Sequence, residues 1–100
     1  MDRGLLVTQI GPNGNIRTKR VWSTQTPTVI TTMLLGRKTL RIKNMNDHDV
    51  HVGLDESVTT GDGYPIFAQS YEDFNFGPEI EPYIMQSAAG SGDIRILEAE

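Results

Sequence analysis

Residues 39–54 read "TLRIKNMNDHDVHVGL". Leu40 and Ile42 alternate with Thr39, Arg41 and Lys43. After a polar stretch, Val50, Val52 and Leu54 alternate with His51 and Gly53. Side chains on a strand point to opposite faces with period two, so each run predicts a strand with one buried and one wetted face. "NMNDHD" between them is a turn, because Asn and Asp hydrogen-bond the nearby backbone. Strands with one wet face belong to antiparallel sheets.

The same pattern extends outward. "GPNGN" at 11–15 is a turn that separates Leu5–Ile10 from Ile16–Trp22. "STQTPT" at 23–28 is an extended connector, and "TVITTMLL" at 28–35 is rich in β-branched residues and predicts a strand. "GDG" at 61–63 is a further turn. "YPIFA", then "YEDFNF" with Phe74 and Phe76 on one face, are short strands, and "GPEIEP" is a loop. "YIMQSA", "AGSGD" and "IRILE" predict a closing hairpin with Ile94 and Ile96 inward. No window carries apolar residues at helical spacing with caps. The expected fold is all-β: a small antiparallel β-sandwich of seven or eight strands. Its expected core is Leu40, Ile42, Val50, Val52, Phe74, Ile94 and Ile96. Residues 28–100 form the expected body, and residues 1–27 an extended arm or an edge hairpin.

A chain of 100 residues is one domain. It lacks cysteine, so it holds neither disulfide nor thiolate metal site. Its start has no apolar run of signal-peptide kind, and no stretch approaches the roughly 20 apolar residues of a membrane-spanning helix. The expectation is a soluble chain without a membrane partner. The net charge of −4 is unevenly placed. Residues 1–44 carry eight cations against Asp2, and residues 45–100 carry twelve carboxylates against Arg95. Basic and acidic strands pairing within one molecule would explain this. So would a basic amino-terminal part lying on an acidic neighbour, where charge sets register more than affinity. Nucleic acid is disfavoured, because the cations lack interleaved aromatics and the remainder repels phosphate.

Candidate chemistry is sparse. His48 and His51 are three apart and face opposite ways on a strand. Asp49 and His51 share a face, but two ligands do not make a zinc site. Asp55, Glu56 and Asp62 lack the ligand spacing of an EF-hand, and Asp62-Gly63 reads as a turn. No nucleophile elbow or phosphate-cradling loop is present. The expectation is no catalytic residue, no metal and no cofactor. Trp22, the one tryptophan, lies in "RTKRVWSTQTPT". It either plugs the core or anchors an interface, and with Arg17, Lys19 and Arg20 it forms the candidate partner surface.

Several segments, in order, carry a resemblance. They are Arg37, Leu40, Ile42 and Asn44; Val50, Val52, Gly53 and Asp55; Val58, Thr59, Thr60, Gly63 and Pro65; and Gly90, Asp93, Ile94, Arg95, Ile96, Leu97 and Glu98. Over about residues 37–98 this pattern resembles small structural proteins of tailed-bacteriophage particles. The resemblance implies a non-enzymatic virion protein, first of all a capsid decoration or cement protein assembled in the host cytoplasm. A head-fibre base, head–tail or tail attachment role stands beside it. Implied partners are the major capsid protein or other virion proteins, and further copies of the chain, a trimer among them. Two other classes stay open. One is a carbohydrate- or host-binding module using Tyr64, Phe67, Tyr71 and Tyr83. The other is a small hydrolase or metal-dependent enzyme.

Overall fold

The computed structural model describes residues 15–100. They form eight strands: β1 (Ile16–Ser23), β2 (Thr28–Val29), β3 (Thr39–Asn44), β4 (Val50–Gly53), β5 (Tyr64–Ile66), β6 (Tyr71–Phe74), β7 (Tyr83–Met85) and β8 (Gly92–Ala99). There is no helix among the described residues. Two four-stranded sheets have the orders β1-β8-β3-β6 and β2-β7-β4-β5, and every strand pair is antiparallel. The chain is therefore the all-β sandwich expected, with eight strands. This strand order is that of a jelly roll, the double-sheet Greek-key sandwich. Only the β4–β5 connection stays within a sheet; the other six cross between sheets.

The crossings correct the expected closing hairpin. β7 pairs with β2 and β4, whereas β8 pairs with β1 and β3. Buried Gln86 drives the turn between them. Its backbone N–H donates to Thr24 O, and its Nε2 donates to Ala88 O and Gly90 O. The expected strand over 28–35 is also shorter, ending at Val29. Side chains there replace the ladder: Thr32 N donates to Glu81, while Met33 N and Leu34 N donate to Glu98. Among the described strands β1 lies at the edge of the first sheet, and it pairs with β8 along all eight residues, from Ile16↔Ala99 to Ser23↔Gly92. Leu5–Ile10 and most of the 11–15 turn lie outside the described residues.

The core is built from the inward residues of both sheets. Ile30, Leu40, Ile42, Val50, Val52, Ile66, Ile84, Ile94 and Ile96 form one buried cluster, with Val21, Met33, Phe74 and Phe76 against its margin. Six of the seven expected core residues are buried. The seventh, Phe74, is partly buried and stacks on Phe76 with centroids 4.9 Å apart. Leu54 follows the last residue of β4 and is exposed, so the alternation ends with the strand.

The sandwich has two unlike ends. Loops 24–27, 45–49, 67–70 and 86–91 gather at one, where amides do the joining. Asn44 Nδ2 donates to His48 O and Ile66 O, while its Oδ1 accepts from Asn46 N. Asn46 Oδ1 in turn accepts from Asp93 N. The "NMN" turn thus ties β3 to the β5–β6 connection and to β8. Loops 30–38, 54–63 and 75–82 gather at the other end with Glu100. Inside that end, buried Arg37 donates to Phe76 O, Gly77 O and Ile80 O. Its Nη1 lies 3.5 Å from Glu98 Oε2, and both side chains are fully buried.

Candidate interaction face

Strand alternation divides the four residues expected to form a partner surface. Register pairs Arg17 with Glu98 and Lys19 with Ile96, both buried inward residues, so Arg17 and Lys19 point to the core side of the edge. Lys19 Nζ reaches across to the second sheet, donating to Thr31 O at 2.6 Å and Thr31 Oγ1 at 2.8 Å. Arg20 and Trp22 lie on the opposite, outer face of the first sheet. The Arg20 guanidinium sits 5.1 Å from the Trp22 ring centroid, a cation–π pairing. Trp22 is 50% exposed. It is therefore not a core plug.

The cations that join Arg20 come from elsewhere in the chain. Arg20 lies directly opposite Arg95, Arg95 opposite Lys43, and Lys43 opposite Tyr71. Three cations thus stand side by side across β1, β8 and β3, with an aromatic ring closing the row on β6. In the next row Arg41 lies opposite Leu97 and Asp73. Its guanidinium is 4.1 Å from the Tyr71 ring centroid and makes a two-pronged contact with Asp73 at 2.7 and 2.9 Å. Thr18, Lys19, Arg20, Arg41, Lys43, Tyr71, Arg95, Ile96 and Leu97 line a shallow depression of about 680 Å³, although the Lys19 ammonium itself reaches to Thr31.

Like charges directly opposite each other on a sheet are destabilising. Among the described residues only part of that repulsion is offset. Asp93 lies between Arg20 and Arg95, at 3.3 Å from Arg20 Nε and 2.9 and 3.0 Å from Arg95. The hydrogen bonds from Arg95, then the Arg20 charge, hold the Asp93 carboxyl below its ordinary value. Its proximity raises Arg95 in turn. Arg41 is raised by its hydrogen bond to Asp73. Among the described residues Lys43 Nζ finds only a carbonyl, Gln69 O, at 3.0 Å. Among the described residues the face presents four cations against the carboxylates Asp73 and Asp93. It can hold an anionic surface by hydrogen bonds from guanidinium groups while Trp22, Tyr71 and Leu97 supply apolar contact.

The other sequence candidates do not converge. His48 Nε2 is 3.1 Å from Gln86 Oε1, and its Nδ1 is 3.5 Å from Asp47. His51 lies on the outer face of the second sheet opposite Met85 and Pro65. Among the described residues no group of three possible ligands could hold a metal ion. Asp55 accepts from Ser57 N and Oγ, and Asp62 from Thr59 N and Oγ1. These bonds hold both carboxyls below their ordinary value and mark them as turn caps. The four candidate sugar-stacking aromatics are also dispersed. Tyr71 is on the outer face of the first sheet and Tyr83 on that of the second. Tyr64 meets Phe74 edge-on at the open side between β5 and β6, and Phe67 lies in the 67–70 loop.

Sequence reading located Arg20 and Trp22 as partner-surface residues and named Tyr71 only as a candidate sugar-stacking aromatic; it did not locate Arg41, Lys43 and Arg95. The missing signal is register, because residues 20, 43 and 95 become neighbours only through the crossing connections.

No protein-family model matches this chain, and no curated protein matches it. Among solved structures it is similar to a chain described as belonging to Bacillus endospore appendages that form disulfide-linked pili. The TM-score is 0.44 and the identity 13%, over 88% of this chain and 89% of that one. A likeness of that strength carries no argument about function.

Proposed function

We propose that this chain is a non-enzymatic structural protein of a tailed-phage particle, a decoration or cement subunit. It attaches by laying the outer face of its first sheet on an acidic protein surface. The observation that carries this reading is the Arg20–Arg95–Lys43 row, with Trp22 and Tyr71 at its margins. Such a row costs stability in an isolated sheet and is relieved by an anionic partner. Aromatic and arginine side chains on one face are the composition of interface hot spots. The jelly-roll strand order also occurs in viral capsid proteins, lectins and cupins, a likeness of fold that does not fix function. The sequence pattern over about residues 37–98 supports the virion assignment.

A symmetric reconstruction of the particle is the test. It should contain density for the sandwich in repeated copies, with Arg20, Arg95 and Lys43 against a carboxylate-bearing surface. A particle without that density, or one in which this face is turned to solvent, overturns the proposal.

A further inference from the structure

The end of the sandwich that holds loops 30–38, 54–63 and 75–82 is the chemical complement of the basic depression. Asp55, Glu56, Asp62, Glu79, Glu81 and Glu100 are all exposed there. Lys38 and Arg17 are the exposed cations on that end among the described residues, Arg37 being buried against Glu98. Two leucines project from the same loops: Leu35 is 86% exposed and Leu54 is 68% exposed. Antiparallel pairing fixes this grouping. β2, β4, β6 and β8 all finish at that end, so their following loops and the carboxyl terminus collect there.

The two surfaces match in two independent respects. The end is apolar side chains among carboxylates, and the depression is Leu97 and Tyr71 among cations. We infer that the acidic end of a second copy of this chain docks into the basic depression of the first. The inference rests on the reading of that face as a docking surface and names its partner. Face and end are different surfaces of one molecule, so the contact is heterologous: successive copies close into a ring or run on as an open chain. A ring of three is one such closure.

The experiment is sedimentation velocity of the full chain over a range of concentrations at low and high salt. The native chain is expected to associate with rising concentration and to dissociate partly with salt, because exposed charges are screened beyond about 10 Å at 0.1 M. Two variants carry the test. Lys43→Glu with Arg95→Glu reverses the face. Glu56→Lys with Glu79→Lys weakens the end, at positions where neither carboxylate accepts a hydrogen bond among the described residues. Each alone should associate at least tenfold more weakly than the native chain. An equimolar mixture should form mixed pairs, because it restores one basic face opposite one acidic end. A native chain that stays monomeric throughout, variants that associate like the native chain, or a mixture that stays monomeric with both melts native-like, each overturns the inference. Should a reversed chain fail to fold, the glutamine versions at the same positions replace it, and undiminished association of those is equally fatal. A monomeric chain that still lies face-down on the particle defeats this inference and leaves the proposed function standing. Self-association without a place on the particle does the reverse.

Discussion

Replacing Glu98 by alanine should destabilise the protein more than any surface change. The Glu98 carboxylate is fully buried. It accepts hydrogen bonds from Met33 N at 3.1 Å and Leu34 N at 3.0 Å, and it faces Arg37 Nη1 at 3.5 Å. Among the described residues that nitrogen has no hydrogen-bond partner, and the carboxylate is the charge that compensates it. Removing one member of a buried pair costs about 3–5 kcal/mol, because the other charge is left uncompensated. Two orphaned backbone N–H groups add to this, each up to about 1–3 kcal/mol where water cannot reach. A loss of about 3 kcal/mol or more is a large part of the 5–15 kcal/mol of a typical domain. At roughly 4–8 °C per kcal/mol for a domain of this size, the melting temperature should fall by at least about 12 °C. Glu98→Gln keeps an acceptor and removes the charge, so it should fall between the native chain and Glu98→Ala. Arg37→Met combined with Glu98→Gln should cost less than the two single changes added together, since no unpaired charge remains. The assay is thermal unfolding by circular dichroism with a double-mutant cycle. A drop under about 4 °C for Glu98→Ala, or strict additivity in the cycle, would refute the reasoning that this pair locks the acidic end together.

Other expectations follow from the same geometry. Trp22→Ala should change stability by less than about 1 kcal/mol, the value of an exposed cation–π contact, yet weaken attachment roughly thirtyfold, as loss of a 2 kcal/mol anchor does. A sharp fall in melting temperature with normal attachment would return Trp22 to a structural role. Gly53→Ala should cost about 1–3 kcal/mol by overpacking, because a Cβ there would lie 2.5 Å from Val58 Cβ. Gly61→Ala, whose nearest neighbour would be 3.7 Å away, should be neutral in the same melt. Asp55, Asp62 and Asp93 are all held below their ordinary 3.8. Their stabilisation is present above that value and is lost as pH falls through their lowered folded values. The melting temperature should therefore decline below about pH 4, and Asp93→Asn should shallow that decline. A melting temperature independent of pH in this range would contradict the assignment.

The fold was legible in the sequence wherever alternation decides burial. Leu40, Ile42, Val50, Val52, Ile94 and Ile96 were readable because period two is a local property. Which strands pair was not, since "YIMQSA" and "IRILE" look like a hairpin until Gln86 carries the chain to the other sheet. The 28–35 run looked like a full strand because β-branched residues favour strands. The carboxylates of Glu81 and Glu98, distant in sequence, take over its backbone donors. The candidate face was half legible. Trp22 and Arg20 stand out locally, but local alternation also turns Arg17 and Lys19 away from them, and the cations that replace these two come from β3 and β8. A candidate surface read as consecutive residues on a strand must therefore be split by parity before a partner is assigned to it.

One strand supplies the most direct test of the proposed docking face. Arg17→Glu and Arg20→Glu make the same charge change three residues apart on β1, on opposite sides of the sheet. Purified particles carrying each variant can be separated on a gradient and their bound copies quantified. The account predicts that Arg20→Glu is lost from particles while Arg17→Glu is retained near the native level. Equal loss of both, or retention of both, would contradict it.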